Sequence, residues 1–291
     1  MTNVSAQMVK TLREKTGAGM MDCKKALGET SGNIEEAVDW LRKKGLSAAA
    51  KKADRVAAEG LVAFAVKERA GALIEVNAET DFVSRNVAFQ DFASSLASLV
   101  LEHGDDIDAL KNIAYPGTGR NVEEQLTHNI ATIGENMAIR RAVRVEGADL
   151  VVPYMHNSIA GSLGKIGVLI SIKSDAEVSE LEMLGKQLAM HVAATAPQAL
   201  SVAELDPISV AREKNVLTEQ AKASGRPEEI IEKMVDGRLK KFYQEVVLLE
   251  QTFVIDNETK ISAVIEKKAN ELGKQVELTG FHRISLGEGI E

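Results

Sequence analysis

Two stretches of the chain show the same order of hydrophobic and polar positions. Alternating apolar residues over 61–76, interrupted at Gly71, predict a β-hairpin, and apolar residues spaced by three and four over 89–100 predict a helix behind it. The pattern recurs, because 149–172 predicts a second hairpin and the apolar stripe over 181–192 predicts a second helix. We therefore predict an α+β fold whose core contains two related subdomains with antiparallel strands.

The two stretches differ in length at one place. Gly71 aligns with Gly167 at an offset of 96 residues, whereas Phe92 aligns with Leu184 at an offset of 92. The first stretch thus has four extra residues between strand and helix, where Thr80–Val83 lie. If the duplication is real, the fold does not require this segment, because the second copy lacks it. We then expect the segment to be present for a function. The alternative is a chance resemblance between two α+β units.

The extra segment is polar apart from one large aromatic residue. Phe82 follows Asp81 in a loop between a predicted strand and a predicted helix. An exposed phenylalanine is unfavourable for solubility, but it is well suited to insertion into a partner protein. We predict that Asp81 and Phe82 form the tip of an interaction loop.

The N-terminal part is predicted to contain three short helices around a small core. The third helix begins after Asn33, which with Glu36 resembles a capping box, and it is expected to end at Gly45. So few residues make a marginal core. We interpret residues 1–46 as a docking module and the alanine- and lysine-rich residues 47–58 as a linker or surface helix.

Two adjacent methionines begin the second of these helices. Met20 and Met21 cannot both face the module's core, so one is expected to be presented to a partner, a use that suits methionine. A purely internal role for the pair is the alternative. The preceding Gly17–Gly19 segment follows a helix and lacks the context of a phosphate-binding loop.

Residues 127–143 are predicted to form a helix whose end carries Arg140 and Arg141, since cations suit a helix C-terminus. Residues 201–249 are predicted to be an inserted helical hairpin of coiled-coil type. Apolar residues repeat every three or four positions over 231–249, and this stripe can pack on the first arm, on a second copy of the chain or on a partner. Packing within the hairpin is the default, and a homodimer is the alternative.

After the hairpin the chain is expected to return to the sheet at 252–254, followed by a helix around 261–272 and a last strand over 275–286. The predicted core subdomains are therefore 59–146 and, around the insertion, 147–200 with 250–291.

Composition narrows the function classes. The net charge of −8 argues against a general nucleic-acid surface, because phosphate binding requires a cationic face. The single cysteine, Cys23, permits no intramolecular disulfide and no zinc-site spacing, which favours the reducing cytoplasm. The start of the chain lacks a signal-peptide pattern, and no stretch is long and apolar enough to span a membrane.

No motif indicates a catalytic centre. The chain has no nucleophile elbow and no HExxH motif. Asp81 and Glu79 could form an acid/base pair, but they lack the basic or metal neighbours that catalysis needs. We interpret His191 as a core or surface histidine, whereas His156 is either a partner contact or an ordinary strand residue. We expect no enzymatic chemistry, no metal and no cofactor.

Several long motifs occur in a family-specific order. They are LREKTGAGMMDCKKAL at 12–27, EVNAETDFV at 75–83, AMHVAA at 189–194, EKMVDGR at 232–238 and TGF at 279–281. Through them the chain resembles bacterial translation elongation factor Ts over essentially its whole length. This resemblance implies a ubiquitin-associated-like N-terminal module, a core of two related α+β subdomains and an inserted coiled-coil hairpin.

The resemblance also implies guanine nucleotide exchange on elongation factor Tu. In that reading Thr80, Asp81, Phe82 and Val83 displace Mg²⁺ from the partner's nucleotide site, and Phe82 wedges between partner helices. A non-catalytic binding or holdase protein is the alternative function.

Other contacts are implied away from the loop. The residues expected to grip the partner's G domain are Leu12, Met20 and Met21, and further contacts are expected at His156, Met234 and Val235. Some family members continue into a C-terminal helical module, and we expect its contact to be absent here, where the sequence stops at Glu291.

Overall fold

Three helices make up the N-terminal module. The structure, a computed structural model, describes residues 4–223, 225 and 227–290. The helices are α1 (Ala6–Thr16), α2 (Met20–Glu29) and α3 (Ile34–Ala50). They bury Leu12, Cys23 and Leu27 completely. The three helices are as predicted, while the ubiquitin-associated-like character of the module stays a prediction.

The third helix does not end at Gly45, so the predicted helix end was wrong, while the domain boundary at residue 46 stays a prediction. Helix α3 continues to Ala50, and the expected linker begins as its last turn. Gly45 lies against the helix at 122–133, where a Cβ atom would be 3.7 Å from Cβ of Ala131. A Cβ at that distance would make only an ordinary van der Waals contact, so no close approach requires glycine here. The packing of α3 against this helix outweighs the weak helix propensity of glycine.

The strands form two antiparallel sheets. Their bounds are β1 (Glu59–Lys67), β2 (Ala70–Ala78), β3 (Met137–Val145), β4 (Leu150–His156), β5 (Leu163–Gly164), β6 (Ile166–Ser174) and β7 (Val276–Ser285). The first sheet has the order β3–β2–β1–β5 and the second has the order β4–β6–β7. Both predicted hairpins, β1–β2 and β4–β6, are therefore confirmed.

Helices cover the sheets and form the insertion. Their bounds are α4 (Val87–His103), α5 (Ile107–Lys111), α6 (Val122–Ile133), α7 (Val178–Thr195), α8 (Pro207–Lys222), α9 (Glu228–Val246) and α10 (Ile261–Leu272). Short 3-10 turns occupy Asp81–Arg85, Val202–Glu204 and Leu248–Glu250. Helix α4 packs on β1 and β2, and α7 packs on β4 and β6. Each hairpin thus has the helix predicted behind it.

The two hairpins contact each other at equivalent glycines. A Cβ on Gly71 would lie 3.2 Å from Leu169 Cδ1, and a Cβ on Gly167 would lie 2.7 Å from Leu73 Cδ2. Leu73 and Leu169 are themselves separated by the same 96 positions as the glycines. The contact is therefore reciprocal, as expected of two related units packed across an approximate two-fold axis.

The correspondence extends to a third strand in each unit. The β2–β3 pairing shifts register between Glu75 and Val76, and the β6–β7 pairing shifts between Ser171 and Ile172, again at an offset of 96. Strand β3 follows α6, and β7 follows α10. Each unit consequently contains a hairpin, a covering helix, a further helix and a returning strand, with α8 and α9 inserted in the second.

The helix predicted over 127–143 was wrong in its second half. Helix α6 ends at Ile133, and Gly134 caps it in the left-handed conformation at φ +94°. Residues 137–145 form β3, in which Met137 and Ile139 face the core. These residues fit a helical stripe with Ile133 as well as they fit a strand, so periodicity alone could not separate the two.

The strand predicted at 252–254 was also wrong. Thr252 makes one isolated bridge to Lys260, and Phe253 fills the core of the second unit from an irregular segment. The apolar residue at 253 therefore serves core packing and does not mark a strand.

The inserted hairpin is present, and its apolar stripe packs within it. Leu217 and Ala221 of α8 meet Val235 of α9 in a small core. Gly225, at φ +65°, lies in the connection between the arms. The apolar stripe of α9 thus packs against α8, the first arm of the hairpin. Self-association through the hairpin stays a prediction.

Candidate functional site

The extra loop of the first unit forms a short 3-10 turn that points one aromatic side chain outward. Phe82 is 75% exposed, whereas Val83 is 4% exposed and packs in the core of the first unit. Ser84 is buried beside Val83. Of the four predicted loop residues, Asp81 and Phe82 are therefore available to a partner, and Val83 anchors the turn from below.

Local hydrogen bonds determine the shape of this turn. Ser84 Oγ donates to the carbonyl oxygen of Asp81 at 2.6 Å, and Gln90 Nε2 donates to the carbonyl oxygen of Ser84 at 2.8 Å. Asn86 caps α4 by accepting from the N–H of Ala88 at 2.9 Å. Within the described residues, the Asp81 carboxylate has neither a hydrogen-bond nor an ion-pair partner.

The base of the loop is held by the corner between α6 and β3. Thr80 donates its N–H to Glu135 Oε2 at 2.9 Å and its hydroxyl to Glu135 Oε1 at 2.7 Å. In the opposite direction, the N–H of Asn136 donates to Glu79 Oε1 at 2.6 Å. Sequence periodicity carries no signal for these partners, because Glu135 and Asn136 fall inside the helix predicted over 127–143.

The residues predicted to grip a partner fall into two groups. Met20 is 61% exposed and Met21 is 75% exposed at the start of α2. Both methionines thus face outward, more than the one expected. Leu12 is completely buried between the three helices. It can shape the module's surface, but its side chain does not form part of that surface.

The module is attached to the first unit through α6. Arg42 of α3 forms an ion pair with Glu124 of α6. Arg120, just before α6, donates from its guanidinium to the carbonyl oxygen of Thr16 at 3.2 Å. Helix α6 therefore contacts the module near its first turn. Just after its last turn comes Glu135, which holds the base of the loop through Thr80.

The remaining predicted contacts lie on other elements. His156 is exposed at the end of β4, where its Nδ1 is 3.1 Å from the hydroxyl of Tyr154. Met234 is half-buried on α9, and Val235 is 4% exposed inside the helical hairpin. Val235 is therefore a packing residue in this structure, while His156 and Met234 keep surface that a partner could reach.

His191 is a core residue with both ring nitrogens satisfied. Nδ1 accepts the N–H of Val254 at 3.2 Å, so Nε2–H is assigned as the donor to Gln251 Oε1 at 2.9 Å. Burial lowers the pKa of His191 and outweighs the opposing effect of Gln251. Of the two alternatives given for His191, a core or a surface histidine, the structure shows the core one.

Residues 4–223, 225 and 227–290 contain no group of three histidine, cysteine, aspartate or glutamate side chains placed to hold a metal ion. No helix within these residues is long and apolar enough to cross a membrane.

Comparison with known proteins places the chain in a family. The family model described as Elongation factor TS matches residues 79–288, which include the loop, the second core unit and the part of the first unit that follows β2. The elongation factor Ts proteins of Rhodospirillum centenum and Paramagnetospirillum magneticum are each 59% identical to it, over all of this chain and 95% and 94% of theirs. That of Gluconobacter oxydans is 55% identical over all of this chain and 94% of its own. The chain belongs to the elongation factor Ts family.

Proposed function

We propose that this chain is a guanine nucleotide exchange factor that releases GDP from elongation factor Tu during translation. The observation that carries the proposal is the exposed Phe82 on an otherwise anchored turn, next to Asp81, whose carboxylate has no partner among the described residues. A large aromatic side chain held outward has no role in this chain's own core. It is suited to fill a pocket in another protein.

Phe82 supplies the binding energy of the wedge. Burying a phenylalanine side chain releases about 1.5–3 kcal/mol. Each 1.4 kcal/mol of coupling loosens the partner's nucleotide about tenfold. A few such contacts acting together account for a large acceleration of GDP release without any bond being made or broken by this chain.

Asp81 acts on the partner's cation in this proposal. GDP and Mg²⁺ bind a GTPase cooperatively, because the cation neutralises the phosphates. A turn that moves the ligands of Mg²⁺ therefore weakens GDP as well. Coupling between two ligands is reciprocal, so rebinding of nucleotide weakens the factor's own binding and releases it.

Met20 and Met21 hold the partner from a second place. Methionine is flexible and polarisable, and it adapts to apolar surfaces. With the module attached to α6, contacts at the methionines and at Phe82 belong to one connected body. Two attachment points raise the local concentration of the second contact once the first has formed.

Release of a fluorescent GDP analogue from elongation factor Tu tests the proposal. We expect the wild-type chain to accelerate release, Phe82→Ala to lose most of the acceleration and Asp81→Ala to lose part of it. Met183→Ala is the matched control, because Met183 is also an exposed apolar residue (68%) and lies on α7, outside the proposed contacts.

The alternative functions give different results in the same assay. A binding or holdase protein would bind elongation factor Tu without accelerating release. Equal acceleration by wild type and Phe82→Ala would contradict the wedge while leaving an exchange activity.

A further inference from the structure

Both oxygens of one carboxylate hold Thr80, the residue immediately before the Asp81–Phe82 tip. Glu135 accepts the main-chain N–H at 2.9 Å and the side-chain hydroxyl at 2.7 Å. Hydrogen bonds to an ionised acceptor are stronger than those between neutral groups. Two of them to one residue restrain both its backbone and its side-chain torsions, so the entry to the tip has a defined direction.

A second carboxylate makes the reverse connection. Glu79 accepts the N–H of Asn136 at 2.6 Å, and the Asn136 side chain donates to the carbonyl oxygen of Arg55 at 2.7 Å. The regular β2–β3 pairing ends at Ala78 with Met137. Beyond the last pair of the sheet, the two glutamates therefore connect these chain segments at two more positions, Glu79 with Asn136 and Thr80 with Glu135.

This clamp does not contribute to a core, because Thr80, Glu135 and Asn136 are only half-buried. What it does determine is the position of a two-residue tip. The tip leaves the clamp at Thr80 and re-enters the protein at the buried Val83. Because the backbone at Thr80 is fixed in advance, insertion of the tip into the partner does not have to restrict it, and that entropy cost is avoided.

Helix α6 connects this clamp to the N-terminal module. Its first turn contains Glu124, the partner of Arg42 in the module, and Glu135 follows its last turn. Twelve helical residues span about 18 Å and form a rigid spacer. The module and the tip are therefore held at a set separation by one element.

We propose that Glu135 is a positioning residue, which acts through Thr80 to pre-organise the Asp81–Phe82 tip for nucleotide exchange. This inference rests on the exchange function proposed above. Glu135 itself need not touch the partner. Its loss should lower the exchange rate at saturating factor and leave the half-saturating concentration, which reports binding through the module, nearly unchanged.

The experiment measures GDP release from elongation factor Tu over a range of factor concentrations. We expect Glu135→Ala and Thr80→Val to lower the saturating rate about fivefold to tenfold, because each removes part of the same pre-organisation. Thr80→Ser keeps the hydroxyl and should retain the rate within about twofold. Glu271→Ala, at an exposed glutamate on α10, is the matched control.

A variant that merely weakens the fold is separated from a positioning defect by two further measurements. In an Asp81→Ala/Phe82→Ala background, Glu135→Ala should have no additional effect on the rate, because it acts only through the tip. In the free protein, hydrogen exchange of the Thr80 amide should become faster in Glu135→Ala, while the amides of β2 stay protected.

The outcomes distinguish the two proposals. If wild type accelerates GDP release and Glu135→Ala does so equally, the positioning role is overturned and the exchange function is still supported. An effect of Glu135→Ala that is as large in the Asp81→Ala/Phe82→Ala background as in wild type would also overturn it, since independent contributions multiply. No acceleration by wild type would overturn the exchange function and, with it, the role of Glu135.

Discussion

Arg141 donates from Nε to Oε2 of the completely buried Glu75 at 2.6 Å, across the β2–β3 pair. Arg140 contacts the same carboxylate at 3.2 Å, and the N–H of Gly287 donates to its Oε1 at 2.8 Å. Burial alone would raise the pKa of Glu75. The hydrogen bonds from Gly287 and Arg141 outweigh it, so the pKa lies below its ordinary value.

Glu75→Gln should therefore lower the free energy of unfolding by about 3 kcal/mol, because two guanidinium groups lose their buried counter-charge. Urea unfolding at neutral pH measures this change. Glu277→Gln, at an exposed position on β7, is the control and should be nearly neutral. Equal stability of wild type and Glu75→Gln would contradict the prediction.

The same carboxylate predicts acid sensitivity. A folded-state pKa below the unfolded value contributes stability above the unfolded pKa, and this contribution is lost as pH falls through the folded pKa. The ordinary value is 4.5, so wild type should lose this contribution below about pH 4.5, and Glu75→Gln should show a flatter pH dependence there. Parallel pH profiles of the two proteins would count against this assignment.

Gly185 of α7 should not tolerate a side chain. A Cβ there would lie 2.4 Å from Val152 Cγ2 and 2.9 Å from Val152 Cβ. Val152 is β-branched and belongs to β4, so it cannot turn aside. Gly185→Ala is expected to destabilise the fold by about 1–3 kcal/mol through overpacking.

Gly237→Ala is the matched substitution for that test. Gly237 is also a helical glycine, but a Cβ there meets nothing within 4 Å. The change should stabilise the protein by about 0.5–1 kcal/mol, because alanine is the better helix former. Thermal unfolding of both variants compares them directly, and shifts of the same sign would refute the packing explanation.

His128 should make the protein sensitive to mild acid. Burial, together with the nearby charge of Arg120, lowers the pKa of His128 to about 4. The histidine lies beside Gly17, where the module meets α6. Between its unfolded pKa of 6.5 and its folded pKa of about 4, only the unfolded state takes up the proton, so stability falls as pH falls.

The expected loss is about 2 kcal/mol between pH 7.5 and pH 5. Urea unfolding at the two pH values measures it. His128→Gln should lack this part of the pH dependence, whereas the exposed His103→Gln should keep it. A wild-type and a His128→Gln protein that lose stability equally would show that another group is responsible.

Met20 and Met21 should matter for binding and not for folding. Because both are more than half exposed, their replacement by glutamine should leave the free energy of unfolding within about 0.5 kcal/mol. The half-saturating concentration in the exchange assay should rise, while the saturating rate stays near wild type.

Leu12 should behave in the opposite way to the methionines. Leu12→Ala removes a completely buried side chain and is expected to cost about 2–4 kcal/mol of stability. Unfolding measured through Trp40, the single tryptophan and part of α3, would follow the module. A stable Leu12→Ala protein with weakened binding would instead favour a direct partner contact for Leu12.

Much of the fold could be predicted because its patterns are local. Alternation identified both hairpins, and helical spacing identified the covering helices and the arms of the insertion. Strand β3 was missed because Ile130, Ile133 and Met137 continue a helical spacing across the turn at Gly134. The glycine was the available signal, since its left-handed conformation ends the helix there.

By itself, the sequence determined the repeated hairpin and helix, the extra loop with its single aromatic residue, and the two-armed insertion. Each of these follows from spacing within a short segment. Only the tertiary structure decided that Arg141 reaches Glu75 and that Glu135 holds Thr80. These pairs are 66 and 55 positions apart, and they meet because β3 pairs with β2 in one register. That register depends on packing between distant segments, which no local period encodes.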